Sequence, residues 1–233
     1  MPLVIAMDGP SGSGKSSASK GVARALGLRY LDTGAMYRAM TWWMLRAGVP
    51  VEDAAEVAAR AGDPKIESGT DPGAPTISVD GTDVSGPIRT REVTNAVSAV
   101  SSVPAVRERL VALQREIIGA GGIVVEGRDI GTVVAPGAEV KVYLTASEAV
   151  RAARRALELA SDQTGDQAAD QAATVTVTQA EQARRDRIDS TRAASPLAKA
   201  GDAIEIDSSE LTLDEVIGAV LRLAEERRTN DLS

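Results

Sequence analysis

Gly9-Pro10-Ser11-Gly12-Ser13-Gly14-Lys15-Ser16 follows the apolar run Leu3-Val4-Ile5-Ala6-Met7 and opens a helical pattern that lasts from Lys15 to Leu26. The spacing (Gly, four residues, then Gly-Lys-Ser) is that of a phosphate-binding loop. Glycines let successive backbone N–H groups turn inward as an anion nest, and the helix N-terminus behind them adds positive potential. Lys15 then supplies a point charge for the β- and γ-phosphates of a nucleotide, and the Ser16 hydroxyl reaches Mg²⁺, directly or through water. A chance match of this length is expected on the order of once in a hundred chains of this size. The flanking strand and helix are those that the loop requires. Lys15 is expected in a surface loop rather than in the core.

Composition narrows the chemistry further. The 233 residues carry 26 Lys and Arg against 33 Asp and Glu, a net charge of -7, which argues against bulk nucleic-acid or membrane-surface binding. There is no Cys and no His. Thiol nucleophiles, Ser-His triads, thiolate zinc and imidazole acid–base catalysis are thereby excluded. Aromatics make up 2% with no Phe, so the core is expected to be aliphatic and base-stacking platforms are absent. The opening apolar run is too short for a signal peptide or a membrane span. A cytoplasmic protein is expected, with neither nucleic acid nor membrane as partner.

Working outward from the loop, Arg29-Tyr30-Leu31-Asp32 reads as a second strand, and Thr33 opens a helix through about Leu45. Further helices are expected at Glu52–Ala61, Arg89–Ser101, Ala105–Ile118, Ser147–Leu159 and Thr212–Glu226, with Arg151, Arg154 and Arg155 on the Ser147–Leu159 helix. Ile123–Glu126 and Val140–Leu144 read as buried strands, and Ala203–Asp207 as a last strand. Two stretches interrupt this alternation. Gly62–Pro87, with Thr76–Val79 and an Asp80-Gly81 hairpin signal, is expected to be a small β-containing insertion. Ser161–Ala183, rich in Gln, Asp, Ala and Thr, is expected to be mobile or loosely helical. Strands alternating with helices predict an α/β protein: one parallel sheet flanked by helices, with two insertions.

Ligands on open α/β sheets gather at the carboxyl ends of the strands. Two further clusters sit there. Thr33 and Arg38, after the second strand, suit a second anionic group, although an N-cap and a surface arginine explain them equally well. Arg128 and Asp129, after Ile123–Glu126, suit a phosphate and an amino group respectively. The arginine run Arg184, Arg185, Arg187 and Arg192 reads either as a solvated helix face or as the charged end of a lid.

The ordered set of motifs resembles the bacterial cytidylate kinases of the nucleoside monophosphate kinase group. It comprises Asp8–Lys15, Asp32–Arg38, Val84–Thr90, Gly127–Val134, Asp189–Arg192 with Ser195–Leu197, and Ile206–Ser209. The resemblance covers nearly the whole chain. It implies a P-loop kinase core (1–61, 119–155 and 200–233), a monophosphate-binding insertion (62–118) and a lid (156–192). It implies transfer of the γ-phosphoryl group of Mg·ATP to CMP or dCMP by a monomeric enzyme of pyrimidine metabolism. Gly9, Pro10, Ser11, Gly12, Ser13, Gly14, Lys15, Ser16 and Ser17 are then the ATP-binding residues, with Ser16 on Mg²⁺. Thr33, Tyr37, Arg38, Ser98, Arg107, Arg128, Asp129, Arg185, Asp189 and Arg192 are the CMP-binding residues. Lys15, Arg128, Arg185 and Arg192 are the catalytic set. The stretch Ala156–Arg184 is longer and richer in Gln and Ala than the family pattern. Two alternatives stay open on the residues alone. A small-molecule kinase for another acceptor is disfavoured by the polar triple Ser98, Arg107 and Asp129, which suits a cytosine edge. A non-catalytic nucleotide switch would want a guanine-reading Asn-Lys-x-Asp element, which the sequence lacks.

Overall fold

The computed structural model describes residues 3–161, 171–192 and 195–230. Strands β1 (Val4–Asp8) and β2 (Arg29–Asp32) alternate with helices α1 (Lys15–Leu26) and α2 (Thr33–Arg46). Helix α3 (Ala54–Arg60) leads to three short strands, β3 (Ile66–Ser68), β4 (Ile77–Val79) and β5 (Thr82–Asp83). Helices α4 (Arg91–Ser102) and α5 (Pro104–Ile118) return the chain to β6 (Ile123–Gly127). Then come β7 (Val140–Thr145), α6 (Glu148–Ser161), α7 (Gln171–Thr191), β8 (Ile204–Asp207) and α8 (Leu213–Asn230).

The main sheet is parallel throughout, in the order β2-β6-β1-β7-β8. From β1 the chain passes to β2 on one side and later to β7 on the other, so the strand order switches direction at the carboxyl end of β1, where a ligand crevice is expected. Alternate residues of each strand feed opposite faces. Ile5, Met7, Tyr30 and Val124 join a cluster with Ala18 and Val22 of α1 and Val216 and Val220 of α8. Ala6, Leu31 and Val125 join the other cluster with α2, α4 and α5.

The insertion is a three-stranded antiparallel sheet, β3-β4-β5. Ile66, Ile77 and Val79 belong to the same apolar cluster as α2 and α5, so the insertion has no core of its own. Its loop also covers the outer edge of β2, where Tyr30 N donates to Thr70 O at 2.9 Å.

The Gln/Ala-rich stretch, expected to be mobile or loosely helical, is helical where it is described: α6 extends to Ser161 and α7 begins at Gln171, while 162–170 lie outside the described residues. Ala, Gln and Arg are good helix formers, and α7 lies along α6. Polar bonds fasten the pair: Gln182, buried, donates to Arg151 O at 3.4 Å, and Arg151 pairs with Asp186. A low count of large apolar residues hid this because the contacts are polar. Among the described residues no helix is long and apolar enough to cross a membrane.

Candidate active site

The phosphate loop is braced from behind by α6. Gly12 has a φ of 77°, and a Cβ there would lie 2.8 Å from the Arg151 carbonyl oxygen, so both conformation and space require glycine. Arg151 Nη1 donates to Ser11 O at 3.1 Å, and Arg154 Nη1 to Ser13 O at 3.4 Å. Ser208 Oγ donates to the same Ser13 oxygen at 3.0 Å. With these carbonyls engaged on the α6 side, the N–H edge of the loop is left to the cleft. Asp186 already touches that edge, accepting from Ser11 N at 3.4 Å.

Lys15 corrects the sequence reading. It is the first residue of α1, only 8% exposed, and its Nζ donates to Pro10 O at 2.7 Å. The loop spacing identifies the lysine but not its depth, which the buried end of β1 determines. Burial, reinforced by Arg128 nearby, pushes its ammonium down to about 7.

Asp8, Asp32 and Glu126 lie at, or one residue before, the carboxyl ends of three strands of the main sheet. Asp8 of β1 lies beside Gly127, and Asp32 of β2 beside Glu126. Asp8 accepts from Ile130 N and Gly131 N, both at 2.8 Å, and so anchors the turn after Arg128 and Asp129. Burial pushes its carboxyl up to about 6. Asp8→Asn would turn an NH₂ group toward one of these N–H donors. The expected loss is about 1–3 kcal/mol of unfolding free energy, read as a lower urea midpoint; an unchanged midpoint would remove Asp8 as the anchor. Glu126 accepts from Ser16 Oγ at 3.0 Å and from the Tyr30 hydroxyl. Burial, with Asp32 adding, pushes Glu126 up to about 7. Asp32 also caps α2, accepting from Ala35 N at 2.9 Å. Thr33, a candidate cap on sequence grounds, instead donates to Glu126 O at 2.7 Å.

Beyond the carboxylates lies a second polar group. Arg107 and Asp129 form an ion pair with each side chain 5% exposed. Arg107 also donates to Ser101 O at 3.1 Å, and its guanidinium lies 5.1 Å from the centre of the Tyr37 ring. Arg38 ties α2 to α4 through Thr94 Oγ1 at 2.9 Å. Arg128 donates to Gly9 O at 2.8 Å and to Asp189 at 3.1 Å, and Arg192 lies 3.7 Å from the same carboxylate. Among the described residues, Arg107 Nε and Arg185 Nε are buried donors without a hydrogen-bond partner.

These groups share one cleft of about 400 Å³, lined by nine lysine and arginine side chains and four carboxylates. In a chain of net charge -7, such an excess of cations marks an anion site. The arginines strain against one another. Arg38 is pushed down to about 9 by burial and by Arg185 and Arg155, and Arg185 to about 10 by burial and by Arg128. Ser11, Gly12, Gly14, Lys15, Ser16 and Ser17 line the cleft, as do all ten expected monophosphate-side residues, from Thr33 to Arg192. Gly9, Pro10 and Ser13 do not; their atoms bond Arg128, Lys15 and one another within the loop. Lys20, Arg89, Glu126 and Arg155 also line it, although no role follows for them from the sequence. A carboxylate closing an apolar strand was the signal for Glu126. The shared helix face of Arg151, Arg154 and Arg155 was the signal for Arg155.

The fit to a divalent cation follows from the donors. Among the described residues no group of three His, Cys, Asp or Glu side chains can hold a metal alone. Ser16 and Glu126 offer hard oxygens beside the loop. That suits Mg²⁺, which keeps waters and takes few protein ligands when substrate phosphates supply the rest.

A parallel sheet with a Gly-Lys-Ser loop at its switch point and a cationic cleft facing it defines a P-loop phosphotransferase. Within that class, a model of the cytidylate kinase family matches residues 5–226, and the chain belongs to that family. The cytidylate kinase of Streptomyces avermitilis is 56% identical over 228 residues, covering 97% of this chain and 94% of that one. That of Mycobacterium leprae is 51% identical over 226 residues, covering 97% and 96%. A crystal structure of an uncharacterized protein from Eubacterium ventriosum matches with a TM-score of 0.50 at 11% identity, over 97% of this chain and 99% of that one. That likeness concerns the fold alone.

Proposed function

We propose that the enzyme transfers the γ-phosphoryl group of ATP to CMP or dCMP, with Mg²⁺ accompanying the donor. The observation that carries this reading is the joining of a phosphate loop and a buried Arg107–Asp129 pair in one cation-rich cleft. An acceptor oxygen of the monophosphate attacks the γ-phosphorus as the bond to the bridging oxygen of ADP breaks. That oxygen is already anionic, so no general base is needed, in keeping with a chain without His. Lys15, Arg128, Arg185 and Arg192 hold donor and acceptor in line and offset the charge spread over the moving group. Arg38 binds the acceptor phosphate. Asp129 accepts from the exocyclic amine of cytosine, while Ser98 and Arg107 serve its other polar edge. Tyr37 and Thr33 shape the pocket, and Asp189 steadies Arg128 while facing the ribose. Ser16 would hold Mg²⁺, which would supply charge neutralisation of the donor phosphates. ATP and CMP incubated with the enzyme and Mg²⁺ should yield ADP and CDP in equal amounts. ADP formation without CDP would contradict the reading.

Segment 156–192 serves as the lid in this reading. Arg185 and Arg192 are drawn in by phosphate charges that only the two nucleotides together provide, which couples closure to double occupancy. Backbone amides of α7 are expected to exchange more slowly with a bisubstrate analogue spanning ATP and CMP than with either nucleotide alone. Equal exchange in the free and doubly bound enzyme would contradict the coupling.

A further inference from the structure

Tyr30 sits where a phenylalanine would fill the same space. It is fully buried, within the apolar cluster that β1 and β6 share with α1 and α8. A hydroxyl there carries a desolvation cost unless a partner meets it. The partner is Glu126. Tyr30 lies beside Val124 in the parallel register, and Glu126 is the next residue on that face of β6, so the ring reaches diagonally forward to the carboxylate. The Tyr30 hydroxyl donates to Oε1, and Ser16 Oγ donates to Oε2 at 3.0 Å.

The direction of this chain matters. Each oxygen of Glu126 meets one hydroxyl, and in its ionised form the carboxylate only accepts, so both hydroxyls then give it their protons. Ser16 is thereby fixed as a donor toward Glu126, with its oxygen lone pairs turned elsewhere, and the phosphate loop is its other neighbour. Removing the Tyr30 hydroxyl leaves Oε1 of a buried carboxylate short of a donor. Glu126 is then free to rotate, and the Ser16 proton loses its fixed acceptor.

We propose that Tyr30 is a positioning residue of the donor site: acting through Glu126, it holds the Ser16 hydroxyl with its lone pairs presented to the divalent cation of the bound nucleotide. The inference rests on the reading of Ser16 as the residue that meets the cation, and it does not depend on which monophosphate is the acceptor. Lys20, whose Nζ lies 5.7 Å from the centre of the Tyr30 ring, covers the ring from α1 and leaves the hydroxyl end to Glu126.

The test is calorimetric binding of ADP, with Mg²⁺ and with EDTA, to the wild type, Tyr30→Phe, Ser16→Ala and the double variant. In Tyr30→Phe the gain in ADP affinity on adding Mg²⁺ is expected to shrink about tenfold, the loss of one buried hydrogen bond to a charged group. Affinity for ADP in EDTA and for CMP should stay at the wild-type value. Ser16→Ala should show the same loss, and the double variant no more than either single one. In turnover, KM for Mg·ATP should rise while KM for CMP does not. A full Mg²⁺ gain in Tyr30→Phe, or additive losses in the double variant, would overturn the proposal. So would the absence of any Mg²⁺ gain in the wild type. Should Tyr30→Phe fail to fold, Glu126→Gln carries the same expectation. Failure of the CMP reading would show itself separately, as absent CDP formation with the Mg²⁺-dependent ADP binding intact.

Discussion

Lys15→Met is expected to lower kcat for phosphoryl transfer by about 10²–10³-fold, the usual cost of removing one preorganised donor from a developing negative charge. The expectation follows from placement. Lys15 is buried and pushed down to about 7 by burial and by Arg128, so the empty site holds its charge at a cost that triphosphate oxygens offset. The stabilisation therefore grows as charge moves onto the β–γ bridge, and the loss should fall on kcat more than on KM for CMP. Methionine is flexible and close to the lysine stem in length and apolar character, so the fold should survive even though Lys15 is buried. Steady-state kinetics with a thermal melt of the same sample tests this. Turnover near the wild-type level in a folded variant would remove the phosphate loop from the mechanism.

Asp129→Ala has two expected effects, and they separate cleanly. Arg107 loses its buried counterion, which typically destabilises by about 3–5 kcal/mol. On the proposed reading the site also loses the acceptor for the cytosine amine, a contact of about 1.5–3 kcal/mol when the acceptor is charged. Uracil offers a carbonyl at that position and gains nothing from the carboxylate. The ratio of kcat/KM for CMP over UMP is therefore expected to fall by about 10–100-fold. Both substrates are measured on the same enzyme, so any loss of folded protein cancels from the ratio. An unchanged ratio would mean that Asp129 serves only to hold Arg107.

Much of this arrangement is legible in the residues. Gly9–Ser16 between an apolar strand and a helix defines the loop, and the alternation of strands with helices gives the parallel sheet. What escapes the sequence are contacts between distant polar residues. Nothing in Asp8, 122 positions before Ile130, announces that it bonds the turn carrying Arg128 and Asp129. Tyr30 looks like strand filler until the register sets it two residues behind Glu126. The helix α7 is hidden because its attachment runs through Gln182 and Asp186 rather than through an apolar stripe. Lys15 was identified by its motif, but its burial depends on how β1 ends. In each case the missing term is tertiary: the depth and partner of a polar group that local pattern does not encode.

The central claim is that one cleft binds ATP and selects a cytosine monophosphate as acceptor. Its most direct test is a comparison of kcat/KM for CMP, UMP, AMP and GMP under identical ATP and Mg²⁺, together with ATP consumption in the absence of any acceptor. The account predicts that CMP exceeds each of the others by at least about tenfold, one good polar contact to the base, and that ATP alone is turned over only slowly. Equal rates for CMP and a purine monophosphate, or fast ATP hydrolysis without acceptor, would contradict it.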